Sequence, residues 1–323
     1  MIRHLIHIGY PKAGSTFLQH WFASHPQLAY RPGAIAGFHD VYSIARSAAS
    51  PRGEERYRVT SFEGLSVPMP DAGERVVDYR RTGPVDPATR ETRACELLAA
   101  LFPGAVVLVV TRGFRSMILS RYSQFLRTGG DVELPVLLAS ALGTGDAAPE
   151  ARIEVEHWDY DALIGKYRAA FGADAVVVMP YELLRDDPAA FTGALEARLG
   201  LDPAPPPPGR VNASLTGEEM AWYPRLARAV RRVPVGSLHR LYAGAAFTNR
   251  LRLPIRVLQR LRPATPVTAA MIPDAALEPF RGVADSLRSD PLYAPYAAEY
   301  LWEEGVESGP QGVTARAPRP PGG

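Results

Sequence analysis

Gly9, Lys12, Gly14, Ser15 and Thr16 stand within eight residues, inside the stretch HLIHIGYPKAGSTFLQHWF at positions 4 to 22. Two glycines let a backbone turn sharply and come close to an anion, and the start of the following helix adds N–H groups and partial positive charge. A phosphate or a sulfate suits such a loop. The hydroxyls of Ser15 and Thr16 are candidates to hold that anion and to cap the helix. Lys12 places a compact point charge inside the loop, and it is one of only two lysines, with Lys166, in a chain whose other strong cations are arginines.

The spacing departs from the nucleotide-kinase pattern G-x-x-x-x-G-K-[ST]. Ser15 occupies the lysine position and the lysine lies three residues earlier, at Lys12. A magnesium-holding acid is also absent from the end of the central strand, because AVVLVV at 105–110 runs into Thr111 and Arg112. A magnesium-dependent kinase of a nucleoside or small molecule is therefore the disfavoured alternative, and a catalytically silent nucleotide-binding protein is a third reading. Group transfer to a hydroxyl or amine needs a proton acceptor. Glu63 in SFEGL, at a strand end, is the leading candidate, and His39 in GFHDVY competes because imidazole titrates near neutrality.

Alternating strand and helix signals must position these groups. The pattern predicts strands over 4–9, 57–61, 105–110 and 175–180, with helices over 15–24, 91–101, 116–127 and 160–171. The β-branched content of 105–110 marks a parallel strand buried on both faces. Such βα alternation implies an α/β fold with a doubly wound parallel sheet flanked by helices, and a ligand at the carboxyl ends of its strands. After Gly200 comes a stiff proline-rich spacer, PAPPPPG at 203–209, then a helix start at which Ser214 or Thr216 could cap. Residues 217–262 read as an Arg-rich helical extension, with Arg250, Arg252, Arg256, Arg260 and Arg262 near helical spacing. A final helix pair is expected over 274–303, and 307–323 has the composition of disorder. The domain reading is one domain over 1–306, with an α/β nucleotide-binding core over 1–200 completed by a mainly helical part over 210–306.

Composition sets the outer bounds. A chain of 323 residues with 46% hydrophobic content can bury the core of a globular enzyme. Its net charge of +2 gives no bulk argument for a nucleic-acid partner. Cys95 stands alone, which excludes an intrachain disulfide and a cysteine-based zinc site and fits a reducing, cytoplasmic setting. No signal-peptide pattern and no long apolar run suggest a membrane span. Trp21, at helical spacing with Phe17, reads as core, Tyr10 is the other aromatic near the loop, and the arginines of 250–262 read as a solvated helix face, with a face for an acidic acceptor such as a polysaccharide as the alternative.

YPKAGSTFLQ resembles the 5′-phosphosulfate-binding loop of the sulfotransferases that use 3′-phosphoadenosine 5′-phosphosulfate, with its P-K-x-G-[ST]-[ST] core complete. VVTRGFRSMILSRY is similar to the family's second motif, an Arg at a strand end and a Ser eight residues on, here Arg112 and Ser120. YRVTSFEGLS at 57–66, VVVMPYELLRDDP at 176–188, RVNASL at 210–215 and SDPLYAPY near the C-terminus extend the likeness over most of the chain, least securely over 218–270. The resemblance, to bacterial cytosolic members in particular, implies a P-loop-like fold and metal-independent, in-line sulfuryl transfer to a hydroxyl or amine of a small-molecule or carbohydrate acceptor, leaving adenosine 3′,5′-bisphosphate. It implies Lys12 as the catalytic cation, with Glu63 or His39 as base. It assigns Pro11, Ala13, Gly14, Ser15, Thr16 and Phe17 to the 5′-phosphate loop, Arg112 and Ser120 to the 3′-phosphate, and Arg210 and Asn212 to a nucleotide-proximal loop. Glu182, inside YELL, reads as an anchor for the following helix.

Overall fold

The computed structural model describes residues 2–30, 53–66, 87–141, 158–207, 214–233 and 235–301. Along the chain run β1 (Arg3–His7), α1 (Ser15–Ser24), β2 (Leu28–Ala29), β3 (Tyr57–Ser61), α2 (Pro87–Leu101), β4 (Val106–Thr111), α3 (Phe114–Arg127), α4 (Leu134–Ala141), α5 (Tyr160–Phe171), β5 (Val176–Pro180), α6 (Tyr181–Asp186) and α7 (Pro188–Leu199). The strands form one parallel sheet in the order β2-β3-β1-β4-β5. This is the expected α/β architecture. The valine-rich β4 and β5 are buried at every position, as strands covered by helices on both faces must be.

The strand order fixes where a ligand can sit. β1 is the pivot: it pairs with β3 on one side, Ile6 opposite Thr60, and with β4 on the other, Leu5 opposite Val106. The chain winds one way through β2 and β3 and then crosses to β4 and β5, so the reversal leaves a crevice at the carboxyl ends of β1 and β4. The 9–16 loop and Arg112 lie at those two ends.

Helices α1 and α5 span the predicted 15–24 and 160–171, and β3 spans 57–61. α2 starts four residues before the predicted 91, because Pro87 suits the first helical position, where no N–H is needed. α3 starts at Phe114 rather than 116, immediately after the extended Gly113. α4 carries no sequence signal of its own, since LPVLLASA is apolar nearly throughout and shows no polar face.

The extension consists of α8 (Gly217–Arg231), α9 (Gly236–Phe247) and α10 (Arg252–Leu261). Thr216, one of the two expected caps, closes a full capping box with Glu219 at the start of α8. The expected helix pair over 274–303 is not what forms. A string of 3₁₀ turns covers Ala269–Met271, Asp274–Ala276, Glu278–Phe280, Asp285–Ser289 and Ala294–Tyr296, and only α11 (Ala297–Tyr300) is α-helical. Pro273, Pro279, Pro291 and Pro295 interrupt any longer helix, and Gly282 turns at φ 77°. The apolar pattern there is still used, for Phe280 and Tyr300 are each about 1% exposed and Phe280 stacks on Phe114 at 4.6 Å. The spacer residues 203–207 have no regular structure, and the 307–323 tail lies outside the described residues.

Candidate active site

The loop after β1 starts as a continuation of the sheet. Its first residues keep the sheet's hydrogen bonds, Ile8 N–H to Leu108 O at 3.0 Å and Tyr10 N–H to Val110 O at 3.4 Å, before the backbone turns away. Lys12 then adopts φ 70° and Gly14 φ 86°. The left-handed region suits Gly14, where a Cβ would also collide with Leu184 Cδ2. For Lys12 it is a strained conformation of the kind that surrounding structure must enforce. Arg112 does part of that, donating Nη1–H to Lys12 O at 2.5 Å.

α1 starts at Ser15 with Gly14 as its N-cap, no side-chain cap and no acid in its first turn. Ser15 and Thr16, expected as capping candidates, do not cap. The hydroxyl of Ser15 donates instead to the Glu63 carboxyl. First-turn N–H groups of a helix have no intrahelical partner, so the uncapped start of α1 presents donors and partial positive charge to the loop. The Ala13 amide is occupied by Tyr10 O at 3.2 Å, and the Ala13 side chain is buried. Pro11 and Phe17 are half-buried, Phe17 packing against the core. Neither Tyr10 nor Trp21 offers a ring to a ligand: both are at most 1% exposed, and Tyr10 packs edge-on to Tyr160 at 4.9 Å.

Glu63 enters from the end of β3. Phe62 N–H still bonds to His7 O at 3.0 Å, a 3₁₀ turn follows over Glu63–Leu65, and Ser66 Oγ–H reaches Gly9 O at 3.1 Å, tying that turn to the loop. Burial pushes the Glu63 carboxyl above its ordinary range, while the Ser15 hydroxyl and Lys12 pull the other way. Lys12 is pushed below the ordinary lysine range by burial and by Arg127, Arg121 and Arg112, with Glu63 opposing. The pair is thus a carboxyl with raised proton affinity beside an ammonium with lowered proton affinity, which brings their titration ranges closer together.

Arg112 follows β4 directly. Its guanidinium lies over the Tyr181 ring at 4.3 Å and donates Nε–H to Ser116 Oγ at 2.9 Å. Its backbone is clamped by the Tyr160 hydroxyl, which donates to Arg112 O at 2.5 Å. Glu182 corrects the sequence reading: it holds the start of α3 rather than the helix after its own. Its carboxyl, fully buried, accepts from Gly113 N–H at 3.0 Å, from Ser116 Oγ–H at 3.2 Å and from the Tyr300 hydroxyl. Ser120, one turn beyond Ser116, is 3% exposed, and its hydroxyl has no partner among the described residues. An unpartnered buried hydroxyl on the face that carries Arg112's contact is what an anion contact there requires.

The structure therefore brings Lys12, Gly14, Ser15, Thr16, Glu63 and Arg112 around one loop, with Ser120 further along α3. His39, Arg210 and Asn212 fall outside the described residues. Tyr181, Ser116 and Glu182 support the site in ways the sequence did not announce, although all three sit inside the quoted motifs. Of the arginines over 250–262, Arg256 and Arg260 are exposed, as a solvated helix face requires, while Arg252 lies 3.5 Å from Glu219.

No helix among the described residues is long and apolar enough to cross a membrane. No curated protein matches the chain. Among solved structures, the crystal structure of a sulfotransferase from Alicyclobacillus acidocaldarius is 16% identical, spans 74% of this chain and 99% of its own, and superposes with a TM-score of 0.47. A family model described as "Sulfotransferase family" matches residues 5–205, well over half of the sequence. The chain belongs to the sulfotransferase family.

Proposed function

We propose that the protein transfers a sulfuryl group from 3′-phosphoadenosine 5′-phosphosulfate to a hydroxyl or amine of a small-molecule or carbohydrate acceptor, by in-line, metal-independent attack. The observation that carries this reading is the meeting of Lys12 and Glu63 across Ser15, at the carboxyl ends of β1 and β3 beside the sheet's crevice. The bound donor would supply an activated sulfuryl group on a phosphate leaving group. That leaving group gains negative charge as its bond breaks, and a fixed ammonium in a part-buried loop offsets this best in the transition state.

Lys12 takes that role. The hydroxyls of Ser15 and Thr16 and the N–H groups opening α1 hold the 5′-phosphate. Arg112 and Ser120 hold the 3′-phosphate and so set the donor's register for attack. Glu63 accepts the acceptor's proton, its raised proton affinity suiting that task; His39 is the other base in this proposal. Ser15 is shared: its hydroxyl donates to Glu63 here, and holding a phosphate would release the carboxyl for its proton.

Donor turnover tests the reading. The protein is incubated with the phosphosulfate donor, a set of phenols, amines and sugars, and a chelator, and release of adenosine 3′,5′-bisphosphate is followed in the parent and in Lys12→Ala. The proposal expects metal-independent release that the substitution lowers at least about 10²-fold. Equal release from both would remove Lys12 from the mechanism, and a requirement for added magnesium would favour the kinase reading.

A further inference from the structure

Acidic residues disappear from the middle of the helical extension. Between Glu219 and Asp274 the chain holds ten arginines and no aspartate or glutamate, which leaves 26 basic against 34 acidic residues to the rest of it. A strongly cationic run therefore sits on a chain whose remainder is net acidic. Four of the ten are occupied: Arg228 with Glu133 at 2.6 Å, Arg231 with Asp131 at 2.8 Å, Arg252 with Glu219 at 3.5 Å, and Arg225 over the Trp222 ring at 5.4 Å. Arg232, Arg240, Arg250, Arg256, Arg260 and Arg262 are exposed and have no ion pair among the described residues.

The same run concentrates exposed apolar surface. Seven of the ten large apolar side chains that are exposed among the described residues lie between Val233 and Leu261. Three of them are on α10. That helix is anchored by Ile255, 1% exposed, and by Gln259, whose side-chain oxygen accepts from Trp222 Nε1–H of α8 at 2.7 Å. Leu253, Val257 and Leu261 stand four residues apart, so they form one row along the helix, turned away from that anchor. They are 72, 49 and 74% exposed. Arg256 and Arg260, also four apart, form the adjoining row. Glu218, in the first turn of α8, shares a groove with both arginines and lies beyond ion-pair distance of either.

We propose that α10 is an interfacial helix that docks the protein on an anionic lipid surface, with Leu253, Val257 and Leu261 entering the acyl boundary and Arg256 and Arg260 meeting the headgroups. Charge complementarity selects this partner, since each arginine near an anionic bilayer adds about fivefold in affinity. The apolar row selects against partners that meet charge alone. An acidic polysaccharide or a nucleic acid would pair with the arginines and leave the leucines in water. A second copy would set two cationic faces against each other. A helix of ten residues is about 15 Å long, and one row on it falls short of the roughly 1,000 Å² that a stable protein interface buries. An interfacial helix requires only such a row beside cations. Nothing in this surface depends on the sulfuryl-transfer reading, because none of its residues takes part in that reaction.

Vesicle sedimentation of the full chain tests the proposal. The parent, Arg256→Gln/Arg260→Gln and Leu253→Ser/Leu261→Ser are mixed with vesicles of phosphatidylcholine alone and of phosphatidylcholine with phosphatidylserine, at low and high salt. The parent should pellet with the phosphatidylserine vesicles only, and less at high salt. The arginine pair of substitutions should weaken that binding about 30-fold, and the leucine pair at least about tenfold. All four positions are exposed, so both variants should keep the parent's thermal midpoint. Absence of binding to phosphatidylserine vesicles, equal binding to both vesicle types, or binding that the leucine pair leaves within twofold of the parent would overturn the proposal. Dextran sulfate binding that survives the leucine pair, without vesicle binding, would make the face a polyanion site instead. A dimer in sedimentation equilibrium that the leucine pair dissociates, again without vesicle binding, would assign the row to a second copy.

Discussion

Replacing Glu182 by alanine removes the hub that joins three segments: the turn after β4, the first turn of α3 and the C-terminal Tyr300. The cost follows from what each donor can do next. The Ser116 hydroxyl has Gly113 O within 3.1 Å, and Tyr300 lies 3.3 Å from Thr111 Oγ1, so both retain partners. Gly113 N–H has none, and a stranded buried amide costs about 1–3 kcal/mol. Loss of two further hydrogen bonds at about 1 kcal/mol each brings the total to roughly 3–5 kcal/mol. Urea denaturation followed by circular dichroism should show that loss for Glu182→Ala and a smaller one for Glu182→Gln, whose amide oxygen can still accept from Gly113. The Arg112 guanidinium loses its aim as Ser116 is freed, so bisphosphate affinity should fall more than ADP affinity. A Glu182→Ala protein within 0.5 kcal/mol of the parent, about the size of an ordinary surface change, would refute the hub.

Lys12→Ala should leave nucleotide affinity within about tenfold and lower turnover by about 10²-fold or more, as expected for a charge used in the transition state; steady-state kinetics with calorimetry separates the two. The raised proton affinity of Glu63 places the acidic limb of kcat/KM above the ordinary carboxylate range, because the base works only when deprotonated. Lys12, lowered, places the alkaline limb below the ordinary lysine range. A pH profile of Glu63→Gln should lack the acidic limb, and an unchanged limb would move the base elsewhere. His7 is fully buried, with Nδ1 2.8 Å from Ser61 Oγ, and burial lowers it from 6.5 to about 3. The folded protein keeps it neutral while the unfolded chain protonates it, so stability is intact above pH 6.5 and falls by about 1.4 kcal/mol per pH unit from there towards pH 3. Urea midpoints from pH 7 to 4.5 should show a slope that His7→Asn reduces, and equal slopes would contradict it.

Much of this arrangement was legible in the residues. β3, α1 and α5 announce themselves through periodicity and their flanking residues, and Lys12, Gly14, Glu63 and Arg112 meet because the strand ends that carry them must meet. What was hidden depends on tertiary pairing. Ser15 reads as a helix cap until Glu63 arrives from a strand some fifty residues away to take its hydroxyl. Glu182 reads as an anchor for the following helix, yet its partners Gly113 and Tyr300 are far along the chain in both directions. The prolines after Pro273 break the expected final helices into 3₁₀ turns, which keep the apolar residues buried at a period the helical template misses.

The proposed transfer depends on a donor site that reads a 3′-phosphate without metal. Its most direct test is calorimetric titration of the chelator-treated protein with adenosine 3′,5′-bisphosphate, ADP, and ATP with and without magnesium, repeated on Arg112→Ala and Ser120→Ala. Metal-independent binding of the bisphosphate is expected, at least about tenfold tighter than ADP, with that preference reduced in both variants. Equal affinity for the bisphosphate and ADP in the parent, or binding of ATP alone and only with magnesium, would contradict it.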